Sequence, residues 1–155
     1  MIQRIQSVYL LLTTLLSILF LNGNILSFIN KSGTALRITF SGIVQDIQGV
    51  APTLVDKVLP LSVLIIIVPV LALMAIFLYK NRIIQLRVVM ILIVLEILLI
   101  LTEGYYSYIV ISKYEGTLSP GYKMVLPVIL LILSVLAYRG IKKDELLVKS
   151  YDRLR

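Results

Sequence analysis

Residues 88–101 read VVMILIVLEILLIL, fourteen positions with a single charged group, Glu96. Such a run is too long and too apolar for an ordinary buried strand. A helix needs about 20 mostly apolar residues to cross a hydrocarbon core roughly 30 Å thick. Extended to its flanks, this run supplies them over about 88–109. Three further stretches share its character. Residues 58–79 read VLPLSVLIIIVPVLALMAIFLY. Residues 5–21 contain YLLLTTLLSILFL, and residues 122–138 contain MVLPVILLILSVLAY. The expectation is one all-α membrane domain over 1–155, with four transmembrane helices. Outer loops would cover 22–57 and 110–121, and a tail 139–155.

Composition points the same way. The chain of 155 residues is 59% hydrophobic and 15% charged, with mean hydropathy +1.02. A soluble domain has roughly 45–50% apolar and about 25% charged residues. No Cys, His or Trp occurs. Disulfides, Cys/His zinc sites, His-ligated haem, iron–sulfur clusters and Ser-His or Cys-His catalysis are thereby excluded. Chemistry on carboxylates, Lys, Tyr or Ser is not. The expectation is a non-enzyme without cofactor or metal.

The net charge of +7 fits the excess of Lys and Arg on cytoplasmic segments better than it fits nucleic-acid binding. Arg4, Lys80, Arg82, Arg87, Arg139, Lys142, Lys143, Lys149, Arg153 and Arg155 fall on one side. Lys31, Arg37, Lys57, Lys113 and Lys123 fall on the other, so ten cations oppose five. Both termini and the middle loop are therefore expected in the cytoplasm. The first span is expected to stay attached, since its run ends in Leu-Asn-Gly-Asn rather than a small-residue cleavage pattern. Tyr105, Tyr106, Tyr108, Tyr114 and Tyr122 gather at the outer ends of the spans, Tyr79 and Tyr138 at the inner ends. That is the distribution of interfacial anchors.

The first outer loop carries an alternation, Leu36, Ile38 and Phe40 against Arg37 and Thr39, ahead of Ser41-Gly42. It predicts a short strand or hairpin with the apolar side inward. The second outer loop reads as polar and brief. The tail RGIKKDELLVKSYDRLR reads as a short basic amphipathic helix, with Ile141, Leu146, Leu147 and Leu154 as a narrow apolar stripe. Its cations Lys142, Lys143, Lys149, Arg153 and Arg155 are candidates for docking anionic lipid or a cytoplasmic protein. The interleaved Asp144, Glu145 and Asp152 disfavour nucleic acid.

Glu96 is the most informative residue. It lies about eight residues beyond Val88, roughly 12 Å into the membrane at 1.5 Å per residue. A charged side chain there costs about 2.5–3.5 kcal/mol on insertion scales, so Glu96 is expected to face helices or a partner. Glu103 follows seven residues later on nearly the same face. Thr13, Thr14 and Ser17 in the first span and Ser134 in the fourth lie at matching depth, within reach as hydrogen-bond partners. Two readings of Glu96 stand side by side: a structural tie or partner contact, and a proton or cation relay. Pro69 predicts a packing kink in the second span.

The opening MIQRIQSVYLLL, the loop Tyr79-Lys80-Asn81-Arg82 with Gln85, and the ending IKKDELLVKSYDRLR together resemble a family of small inner-membrane proteins from the Bacteroidota, the domain of unknown function 4293. The resemblance covers the whole chain. It implies a four-span inner-membrane protein without assigned activity and carries over no catalytic residue. The reading that follows is a non-enzymatic subunit or scaffold of a larger membrane complex. Its partners would be membrane lipids, other membrane subunits and a cytoplasmic protein at the tail. A small proton- or ion-coupled carrier using Glu96 is the alternative. A claudin-like organiser is a third, by analogy of layout only, since the Cys and Trp signatures of that group are absent.

Overall fold

The computed structural model describes residues 5–30, 33–46 and 51–153. The apolar runs become four helices: α1 (Ile5–Ile18), α2 (Leu59–Phe77), α3 (Arg82–Tyr114) and α4 (Leu126–Arg153). Each packs on its neighbours in a closed ring, α1 on α2, α2 on α3, α3 on α4 and α4 on α1. Small residues lie among the helix contacts. Ala72 and Ala75 on α2 and Ala137 on α4 are fully buried beside Leu10, Val89 and Leu92, which lets backbones come near one another. Three helical segments, Leu59–Lys80, Arg82–Tyr114 and Tyr122–Val148, are long and apolar enough to cross a membrane; Ile5–Leu21 is a shorter apolar helix. Large side chains such as Leu11, Leu15, Val70, Ile91, Val94 and Ile132 point outward around the ring. In water that surface would be prohibitive; a bilayer is the solvent that suits it.

The all-α expectation is wrong. Between and beyond the helices lies a five-stranded antiparallel sheet, so the fold is mixed α/β. Its strands are β1 (Asn24–Asn30), β2 (Ala35–Thr39), β3 (Ile43–Asp46), β4 (Thr53–Asp56) and β5 (Gly116–Ser119), in the order β4-β3-β2-β1-β5. The predicted hairpin is β2–β3, with Ile38 opposite Ile43. Leu36 and Ile38 are buried and Phe40 packs against the same core, as the alternation required. What periodicity could not reveal is β1, β4 and above all β5. Strands of four residues hold too little alternation to be recognised alone. β5 is a strand only because β1 pairs with it, Phe28 opposite Leu118, across some 90 residues of chain.

A bulge between Asn24 and Leu26 in β1 lets the consecutive Ile25 and Leu26 both be buried, which strict alternation forbids. The sheet's inner side chains Leu26, Phe28, Leu36, Ile38 and Ile43 join Phe20, Val58, Leu61, Ile65, Leu99, Val110, Leu126 and Leu130 from the helices in one apolar core. The sheet thus sits face-on across one end of the helix ring. Ser62 pins it there, its Oγ donating to the Phe40 carbonyl at 2.5 Å. Gly42 is fixed by space: a Cβ there would lie 2.4 Å from the Asp56 carbonyl oxygen on β4. Edge strand β4 is short and bulged, and Asp56 pairs with Lys113 at 3.2 Å. These features discourage edge-to-edge pairing.

The tail is not a separate helix. α4 runs unbroken from Leu126 to Arg153, since no Pro follows Pro127 and a lone Gly140 costs a helix only about 1 kcal/mol. α3 likewise exceeds its expected span at both ends.

Candidate functional site

Two polar clusters lie in the helix ring, one at its middle and one at the end remote from the sheet. In the middle, Glu96 on α3 is completely buried and Ser134 on α4 donates to its Oε1 at 2.8 Å. The acid therefore faces a neighbouring helix and not the lipid, as the cost of exposing it to hydrocarbon demands. Its Oε2 has no partner among the described residues, and neither has Oε1 of the buried Glu103. Glu103 sits about two turns further toward the sheet, on the same buried face of α3 as Leu92, Glu96 and Leu99.

The hydroxyls of α1 do something else than expected. Thr13 donates to the Tyr9 carbonyl at 2.9 Å, Thr14 to Leu10 at 2.8 Å and Ser17 to Thr14 at 2.9 Å. All three are buried, yet each satisfies itself on its own helix, the habitual solution for Ser and Thr in an apolar helix. Of the four candidate hydroxyls only Ser134 meets an acid. Depth in the membrane was legible from sequence; the rotational phase of α1 about its axis was not.

At the far end, four separate parts of the chain converge. Gln6 at the start of α1 donates from Nε2 to Asp144 Oδ2 at 2.6 Å. Arg82, the first residue of α3, donates from Nη1 to the Asp144 carbonyl at 3.1 Å. Gln85, one turn on and almost fully buried, donates to the Ala75 carbonyl at 2.8 Å. That carbonyl belongs to the last turn of α2, where helix geometry leaves acceptors unserved. Gly140 makes the junction fit: a Cβ there would stand 2.7 Å from Gln6 Cγ. An open cleft of about 510 Å³ lies beside it, lined by Tyr79, Lys80, Asn81, Arg82, Glu145 and Val148.

None of Gln6, Gln85 and Asp144 stood among the sequence-derived site residues. The available signal was a glutamine near the start of each of two apolar helices, on the face that α1 and α3 bury. Of the proposed tail cations, Lys142 and Lys143 are exposed. Lys149 and Arg153 lie on α4 beyond the residues whose side chains are described, and Arg155 lies outside the described residues. The expected apolar stripe is not one: Ile141 is buried, whereas Leu146 and Leu147 are exposed at 59% and 50%. Leu154 is again outside the described residues. Among those that are described, no group of three or more acids is placed to hold a metal ion.

A family model described as Domain of unknown function (DUF4293) matches residues 2–154. Neither the curated proteins nor the solved structures contain a match. Gln6, Arg82, Gln85 and Asp144, which meet neighbouring helices at this end of the fold, all fall within the segments through which the sequence resembles that family.

Proposed function

Since the chain belongs to the DUF4293 family, a domain of unknown function, we propose from its geometry that it is a non-enzymatic subunit or scaffold of a larger complex. It would span the bacterial inner membrane four times, with the sheet outside and both termini in the cytoplasm. The observation that carries this reading is the single apolar core shared by sheet and helix ends. It makes the outer face a preformed surface rather than a pair of loose loops, and preformed surfaces bind at lower entropic cost. At the other end the Gln6–Asp144–Arg82 junction holds α4's basic extension, with Lys142 and Lys143 exposed, in a fixed direction for docking.

Single cysteines at Ser41 and Asn81, both exposed, test the topology. A membrane-impermeant reagent on intact inner-membrane vesicles of known sidedness should label them from opposite faces. Labelling from the same face sinks the four-span arrangement. The scaffold itself is tested by quantifying co-purified subunits from native membranes for the wild type, Glu96→Gln and Lys142→Ser/Lys143→Ser. The Gln variant should assemble as the wild type does, and the double variant should lose its cytoplasmic partner.

One observation favours the second reading, a proton- or ion-coupled carrier: Glu96 and Glu103 each keep a buried oxygen without a partner among the described residues. If Glu96→Gln assembles normally yet cannot replace the wild type in cells, the carrier reading replaces the scaffold. The claudin-like organiser draws support from the outer sheet, but likeness of layout does not license function.

A further inference from the structure

Lys123 occupies an unusual position for a lysine near a helix end. Such side chains ordinarily snorkel, stem along apolar surface and ammonium in water. Lys123 instead lies in the turn that leads into α4 and is only 8% exposed. Its Nζ donates to the Asn22 carbonyl beyond α1 and sits beside Gly23, whose φ of +74° turns the chain there. An ammonium has three protons to donate, and one acceptor is in place. Among the described residues no carboxylate forms an ion pair with it; the pairs found are Arg37 with Asp46 and Lys113 with Asp56. A buried charge is costly unless an opposite charge and further hydrogen bonds offset it.

Lys123 lines an open cavity of about 420 Å³ at the sheet end of the ring. The polar wall of that cavity is neutral: Asn22, Asn24, Ser27 and the phenol of Tyr122. A buried cation in a wall that otherwise holds amide and hydroxyl side chains, and no acid, suits an anion. Its surroundings say where the anion comes from. Leu21, Met124 and Val125 flank the cavity in sequence and are exposed apolar side chains, and Tyr122 is 76% exposed, as at a headgroup boundary.

We propose that the cavity between β1 and the start of α4 binds the phosphate of a phospholipid from the leaflet on the sheet side, with Lys123 as its cation and the acyl chains descending over Leu21, Met124 and Val125. The Lys123–Asn22 contact then does two things: it staples the end of α1 to the start of α4 and presents the ammonium to the cavity.

The full chain, purified in mild detergent, tests this by native mass spectrometry and thermal unfolding. Titrants are phosphatidylglycerol, diacylglycerol with the same chains, and inorganic phosphate. The wild type should retain phosphatidylglycerol and unfold at higher temperature in its presence; the other two titrants should do neither. Lys123→Gln should retain one lipid fewer per chain, with apparent affinity at that site at least tenfold weaker, while Lys123→Arg retains it. Ser27→Asp alters neither partner of the Lys123–Asn22 contact and sets a carboxylate in the cavity wall. It should lose the same lipid and serves where Lys123→Gln does not fold. Equal retention by Lys123→Gln or Ser27→Asp overturns the proposal. So does an equal shift with diacylglycerol, which needs no phosphate, or with inorganic phosphate alone, which needs no lipid.

Discussion

Gly140→Ala sets two effects of known size against each other. In a helix interior alanine is better than glycine by about 0.8–1.0 kcal/mol, and Gly140 lies well inside α4. On propensity alone the substitution stabilises. The new Cβ, however, would stand 2.7 Å from Gln6 Cγ, and Gln6 is held there by its 2.6 Å bond to Asp144. Moving Gln6 aside sacrifices a hydrogen bond to a charged group, about 1.5–3 kcal/mol. Overpacking adds about 1–3 kcal/mol. The junction is only partly buried, so the lower ends apply, and the net expectation is destabilisation by about 1.5 kcal/mol, roughly tenfold in the unfolding equilibrium. In a Gln6→Ala background the clash and the bond are both gone, so the same substitution should stabilise by up to about 1 kcal/mol. The assay is equilibrium unfolding in mixed micelles, followed by circular dichroism, for the two single variants and the double. Stabilisation by Gly140→Ala in the wild-type background, or no reversal of sign in the Gln6→Ala background, would refute the packing argument.

Removing the Glu96–Ser134 bond by Ser134→Ala should cost about 0.6 kcal/mol, the average for hydrogen bonds inside membranes, and no more than about 1.7 kcal/mol; a double-mutant cycle with Glu96→Leu in the same micelles measures the coupling. Gly42→Ala drives a Cβ against the Asp56 carbonyl oxygen and should free β4 from β3, seen as fast amide exchange over Thr53–Asp56 while helix α3 stays protected. Lys113→Ala breaks a pair exposed on both sides and should leave the unfolding midpoint nearly unchanged, as exposed pairs usually contribute little.

The helices were legible because their signal is local. Hydrocarbon admits only long apolar runs with their backbone groups satisfied internally, and α2 and the middle of α3 carry that requirement turn after turn. The burial of Glu96 followed for the same reason, from the cost of the alternative. The β2–β3 hairpin was legible through Leu36, Ile38 and Gly42, where alternation and turn chemistry coincide within a few residues. The rest of the sheet was not. β5 is Gly116–Ser119, four residues whose strand character comes wholly from β1, and Ile25 and Leu26 are neighbours that share one side only through a bulge. Which hydroxyl meets Glu96 was equally out of reach, since Thr13, Thr14, Ser17 and Ser134 have similar depth and differ only in how their helices are rotated. Gln6 with Asp144 and Lys123 with Asn22 are separated by 138 and 101 residues. Sequence periodicity records which residues share a face of one element. Contacts between elements depend on register, rotation and crossing of separate helices and strands, and those are set by the packing of the whole chain.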